Sequence, residues 1–161
     1  MKSFSNKTLL FFLPIILTII IIEILLINAE NSYSYKHNYL KNNNKEIENL
    51  IFGSSYAYYG LNPDNFNENT FNLANASQSI YFHNILLKQY IDQLPKLKTI
   101  IINISYSSLS RKRSQETWRK FYYHHYMEAD IDIIPKTSLG NYLIFGGIGL
   151  KPSLKMIWKS Y

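Results

Sequence analysis

The stretch LIFGSSYAYYG, Leu50–Gly60, decides how the rest of the chain is read. A short apolar run, Leu50-Ile51-Phe52, stops at Gly53 and is followed at once by Ser54 and Ser55. An apolar run of this length bounded by glycine predicts a buried strand. Working outward, TFNLA (Thr70–Ala74) and KTIIINIS (Lys98–Ser105) are further strand candidates. The last is apolar on both faces, as a strand in the interior of a parallel sheet would be. Between the second and third strands, Ser77 or Ser79 is placed to cap a helix. Ile80, Leu87, Ile91 and Leu94 lie close to one face of it, Phe82, Leu86 and Tyr90 extend that face, and Pro95 ends it. The connection from Ser55 to Thr70 is less regular and turns at Asn62-Pro63-Asp64. Strand, helix, strand is a crossover unit, so the expected fold class is α/β, a three-layer αβα domain on a parallel sheet.

In open α/β sheets ligands bind beyond the carboxyl ends of the strands. Three serine-rich segments stand at such ends: Gly53-Ser54-Ser55, NASQS (Asn75–Ser79) and SYSSLS (Ser105–Ser110). A serine on a sharp turn after a strand is exposed, and backbone N–H groups beside it are placed to stabilise an oxyanion.

The amino terminus has a different character. Lys2 and Lys7 precede Leu9–Ile27, in which 16 of 19 residues are apolar. As a helix it spans about 28 Å, close to the apolar thickness of a bilayer. Its aliphatic and aromatic residues favour insertion by about 5–10 kcal/mol, against about 3 kcal/mol at most from Glu23. The run exceeds the apolar region of a signal peptide, and Ile27-Asn28-Ala29 is a poor cleavage site. The expectation is an uncleaved anchor, with a cleaved signal as the alternative. The two lysines orient residues 1–8 to the cytoplasm. Residues 28–47 then read as a polar spacer with a loop at Asn42-Asn43-Asn44 and a solvated His37, and residues 48–161 as the extracytoplasmic domain.

Composition narrows the chemistry. Cysteine is absent, which removes disulfides, thiol catalysis and cysteine-based zinc sites. Few aromatic-basic clusters accompany the net charge of +6, so no nucleic-acid partner is expected. His83 falls on the crossover helix and reads as a partly exposed side chain. In FYYHHYMEADID (Phe121–Asp132) the adjacent His124 and His125 point to opposite sides, a poor metal site, and the segment reads as an aromatic-rich surface loop or helix. No metal and no cofactor are expected. The basic run RKRSQETWRK (Arg111–Lys120) reads as a solvated loop, with an anionic membrane surface or glycan as an alternative contact. Near the end of the chain, NYLIFGGIGLKPSLKMIW (Asn141–Trp158) is too interrupted by glycine, lysine and proline for a second span. It reads as a loop and the start of a helix, or as a surface that packs on further sequence.

From Glu48 to Ser110 the residues resemble the SGNH/GDSL hydrolase superfamily, in particular its membrane-anchored branch linked to acylation of bacterial cell-surface polysaccharides. The resemblance implies an SGNH/flavodoxin-like fold. In its first block Gly53 and Ser54 form the turn, with Ser54 where the superfamily has aspartate, and Ser55 is the nucleophile. In the second block Ser77 takes the place of a glycine whose N–H serves the oxyanion hole. The third block has no counterpart of the oxyanion-hole asparagine. Asn103 lies inside the strand, and Asn75 is the substitute. The superfamily's base comes from an Asp-x-x-His motif that this sequence lacks, so the resemblance implies an amino-terminal portion of a longer domain. The implied function is a membrane-anchored, single-pass esterase or O-acyltransferase on cell-surface polysaccharide, served by an acyl donor and a membrane acyl-transfer partner. The alternative is a non-catalytic, membrane-tethered glycan-binding or scaffold module.

Overall fold

The computed structural model describes residues 2–110 and 119–160. Two compact units make up the chain: Met1–Asn31 with Ile134–Tyr161, and Ser32–Ile133.

The larger unit is built on a three-stranded parallel sheet of β1 (Asn49–Phe52), β2 (Thr70–Asn72) and β3 (Thr99–Ile102), in the order β2-β1-β3. Leu50 pairs with Phe71 on one side and with Ile100 on the other. Every residue of β1 is buried. Both neighbours stay zipped to it beyond their last paired residues, through Leu73 N–H to Ile51 C=O at 2.8 Å and Asn103 N–H to Phe52 C=O at 2.9 Å. The strand expected in the sheet interior, β3, is instead an edge strand, with Ile102 and Ile104 exposed. Isoleucine content marks a strand, but its neighbours decide its place.

Helix α2 (Ser32–Asn43) replaces much of the expected spacer and belongs to this unit. Its buried face is Lys36, His37 and Leu40, a face that residue type alone does not reveal. His37 is buried rather than solvated, with Nδ1 2.6 Å from the Tyr90 hydroxyl. Next come α3 (Ser55–Gly60) and α4 (Ile80–Tyr90). In α4 the buried positions are Phe82, His83, Leu86 and Tyr90, while Ile80 and Ile91 are exposed. Of the expected face, Phe82, Leu86, Tyr90 and Leu94 are buried and the two isoleucines are not, and His83 is only 5% exposed rather than partly solvated. After α5 (Tyr106–Ser110), the basic run expected at Arg111–Lys120 lies outside the described residues as far as Trp118. Helix α6 (Arg119–Met127) buries Phe121, Tyr122, Tyr123, Tyr126 and Met127. It is core rather than an aromatic surface, and it packs against α2.

In the other unit α1 (Lys2–Ile27) contains Leu10–Ile27, a window of mean hydropathy 3.0 that is long and apolar enough to cross a membrane, a property a signal sequence shares. Glu23, which opposes insertion, has partners: Oε1 accepts the N–H of Ile144 at 2.5 Å and Oε2 that of Phe145 at 3.2 Å. Those residues open α7 (Ile144–Ile148), and Gly149, at φ 86°, turns the chain into α8 (Leu150–Ser160). Only glycine adopts that backbone without strain.

Candidate functional site

The site begins at Gly53. A β-carbon there would lie 2.5 Å from Ala57 Cβ and 2.9 Å from Asn103 Cβ, so the turn after β1 admits no side chain. The missing side chain lets α3 start immediately. Ser54 takes the extended cap position without using its hydroxyl as a cap, and Ser55 is the first helical residue, partly exposed. Among the described residues the Ser55 hydroxyl has no hydrogen-bond partner.

After β2 the chain makes a tight turn closed by Gln78 N–H to Asn75 C=O at 3.0 Å. Ser77 stands in it at φ 59°. This is the left-handed backbone that glycine adopts freely and other residues hold at a cost of about 1–2 kcal/mol. After β3, Ser105 and Ser108 join hydroxyls at 2.8 Å. The three ends meet: Ser54, Ser55, Ser77, Gln78, Ser79 and Ser108 line one cavity of about 210 Å³, with Tyr56 at its side.

Asn75 is not among the lining residues. It is buried, and its Oδ1 accepts from Lys36 Nζ at 3.3 Å and Ser32 Oγ at 3.4 Å. Asn103 lies one residue past β3 rather than inside it, against Gly53. Gln78 is a residue that sequence reasoning missed. It is 2% exposed, its Oε1 accepts from the Tyr123 hydroxyl at 3.0 Å, and its Nε2 has no partner among the described residues. Nothing in the local sequence separates it from any other loop glutamine, because Tyr123, which orients it, is 45 residues away.

Buried polar atoms without partners gather here. Asn75 Nδ2, Gln78 Nε2, Ser79 Oγ and Asn103 Oδ1 have none among the described residues, and neither ring nitrogen of His83 has a hydrogen bond of normal geometry. Such atoms are rare in native proteins and call for a reason such as a ligand or bound water. His83 lies behind the turn, its ring 5.7 Å from that of Phe52. Burial holds its pKa below the ordinary value, against a smaller upward pull from the backbone of Gly53.

A second, larger cavity of about 480 Å³ has walls of Tyr35, Tyr39, Tyr58 and Tyr59, with Lys36 and Asp64 also lining it. Lys36 is 5% exposed. Its Nζ donates to the Ala74 carbonyl and lies 4.6 Å from the centre of the Tyr58 ring. The lysine thereby ties α2 to the segment that carries Asn75 and Ser77. Burial pulls its pKa down to about 7, while its oxygen acceptors favour the charged form.

A pH dependence follows. Between about 7 and 10.5 the unfolded lysine binds a proton that the folded one sheds. Stability therefore rises with pH across that window. Tyr33, raised by burial to about 12, reverses the trend above 10.0, where the unfolded phenol ionises and the folded one does not. Thermal melts of the detergent-solubilised chain from pH 6.5 to 10.5 are expected to show a rising melting temperature that turns over near pH 10. In Lys36→Met the rise is expected to flatten.

A scan of protein-family models, a search of curated proteins and a search of solved structures each return no match. The fold and the cavity thus define a class only: a parallel α/β unit with a serine-lined cavity at its strand ends, in a chain whose first helix is long and apolar enough to cross a membrane.

Proposed function

We propose that this chain is a membrane-anchored, extracytoplasmic SGNH-like protein whose Ser55 performs acyl-ester chemistry, hydrolysis or O-acyl transfer, on a cell-surface polysaccharide. The observation that carries this reading is the meeting of three strand ends at one cavity lined by Ser55. The left-handed Ser77, at the place of the superfamily's glycine, supports it.

In this reading Ser55 Oγ attacks the acyl carbonyl, and the new Oγ–C bond pushes the carbonyl electrons onto oxygen. The N–H groups of Ser55 and Ser77 hold that oxyanion, and Gln78 Nε2 is a third donor. Collapse breaks the bond to the donor alcohol, and water or a sugar hydroxyl then takes the acyl group. The Oγ proton needs an acceptor. No histidine or carboxylate is among the described residues lining the cavity, and the sequence has no Asp-x-x-His. In this reading the base is a group other than the described residues that line the cavity.

A fluorophosphonate probe applied to membranes containing the chain is expected to label it, and Ser55→Ala is expected to abolish the label. A folded chain that takes no label removes the central residue from the enzymatic reading. The second reading, a tethered glycan-binding module without chemistry, draws on the tyrosine-walled cavity. Polysaccharide retention that is equal in the wild type and in Ser55→Ala, together with absence of label, would favour it.

A further inference from the structure

Helix α8 carries three lengthwise stripes. At 100° per residue, Leu150, Leu154, Ile157 and Trp158 fall within an arc of about 100°. Leu150, Leu154 and Trp158 are 55%, 50% and 81% exposed. Lys151, Lys155 and Lys159, spaced by four, form the adjoining arc, and all three are exposed. Ser153 and Met156, on the remaining side, are buried. The side facing its own unit is thus small and closed. The outward side is a row of large apolar groups with a tryptophan, flanked by cations. Exposed apolar groups in such a row mark an interaction surface.

The unit itself says what covers that row. Both α7 and α8 pack against α1. The segment is pinned at two points, one in α1 and one three residues beyond its end. The N–H groups of Ile144 and Phe145 are held by Glu23, and Ser160 Oγ donates to the carbonyl of Glu30 at 3.3 Å. Glu23 lies four residues inside Ile27, the end of the apolar window, which is about 6 Å along a helix. Glu30 lies just beyond that end. When α1 crosses a membrane, both pinned points are therefore at the boundary between acyl chains and headgroups. Amphipathic helices with tryptophan and leucine on one face and lysine on the polar face bury about 5–10 Å into that same boundary.

We propose that α8 is an interfacial helix. It lies in the surface of the membrane that α1 crosses, with Leu150, Leu154 and Trp158 in the acyl boundary and Lys151, Lys155 and Lys159 on anionic phospholipid headgroups. The inference rests on α1 as a membrane span and is independent of any chemistry at Ser55. Glu23 then has a defined role, satisfying the first N–H groups of α7 at a depth where water is scarce.

The test uses the full chain with Trp118→Phe, which leaves Trp158 as its single tryptophan. It is reconstituted into phosphatidylcholine vesicles, with and without about one third phosphatidylglycerol, and with or without lipid brominated on the acyl chains. Alkaline carbonate extraction reports separately whether α1 is inserted. Brominated lipid is expected to quench Trp158 at least twofold, more strongly with phosphatidylglycerol. The triple variant Lys151→Gln, Lys155→Gln, Lys159→Gln is expected to lose that increment. A carbonate-resistant chain with unquenched Trp158 overturns the interfacial helix and leaves the anchor standing. A chain that carbonate extracts, with Trp158 unquenched, overturns both. Equal quenching in the two lipid mixtures overturns the headgroup contact of the lysines.

Discussion

Tyr123→Ala is expected to lower the unfolding free energy by about 3–5 kcal/mol, the range for removing a fully buried aromatic side chain. Tyr123 has no exposed surface. Its ring stacks on Phe82 at 4.0 Å and meets Tyr33 edge-on at 5.0 Å, so one side chain joins α2, α4 and α6. Aromatic pairs of this kind contribute about 0.5–1.5 kcal/mol beyond the area they bury. Denaturant titration of the detergent-solubilised chain, followed by helix circular dichroism, measures the loss. Tyr123→Phe keeps the ring and removes the hydroxyl that donates to Gln78. It is expected to cost about 0.5–1.5 kcal/mol, and it leaves the glutamine amide free to turn. If Gln78 is an oxyanion donor, Tyr123→Phe slows fluorophosphonate labelling more than its small loss of stability explains. Equal labelling rates would remove Gln78 from that role.

Gly53→Ala is expected to cost about 1–3 kcal/mol, the range for forcing an extra methyl group into a packed site. The clash is with Ala57 Cβ at 2.5 Å and Asn103 Cβ at 2.9 Å, neither of them the end of a flexible chain. Relief requires α3 or the end of β3 to move, and either motion displaces Ser54 and Ser55. Loss of labelling is therefore expected even at temperatures where the variant stays folded. Gly60→Ala is the control. No atom lies within 4 Å of its added carbon and its backbone is not left-handed, so it is expected to be neutral or to stabilise by about 0.4–1 kcal/mol. If both substitutions have the same small effect, the close approach at Gly53 does not govern the turn.

The strands and the turns at their ends were legible because each rests on a few consecutive residues: an apolar run, then Gly53, Asn75 or Ser105. Helix α2 was not legible. Its buried face is a lysine, a histidine and a leucine, and a lysine stem buries well only when a carbonyl and an aromatic ring, here Ala74 and Tyr58, receive its ammonium group. His83 was misplaced for a related reason. Phe82, Leu86 and Tyr90 of the expected face are buried, but so is His83 beside Phe82, and its ring lies behind a glycine 30 residues earlier in the sequence.

By itself the sequence determined a helix long and apolar enough for a membrane, three short strands, and a polar, serine-rich end to each, because these depend on neighbours within a turn or a strand. The tertiary structure decided that β1 is central and β3 an edge, that Lys36 and His83 are buried, and that Ser55, Ser77, Gln78 and Ser108 face one cavity. Strand order and burial are set by pairings between residues about 20 to 50 positions apart. Local composition carries no record of which partner closes over which side chain.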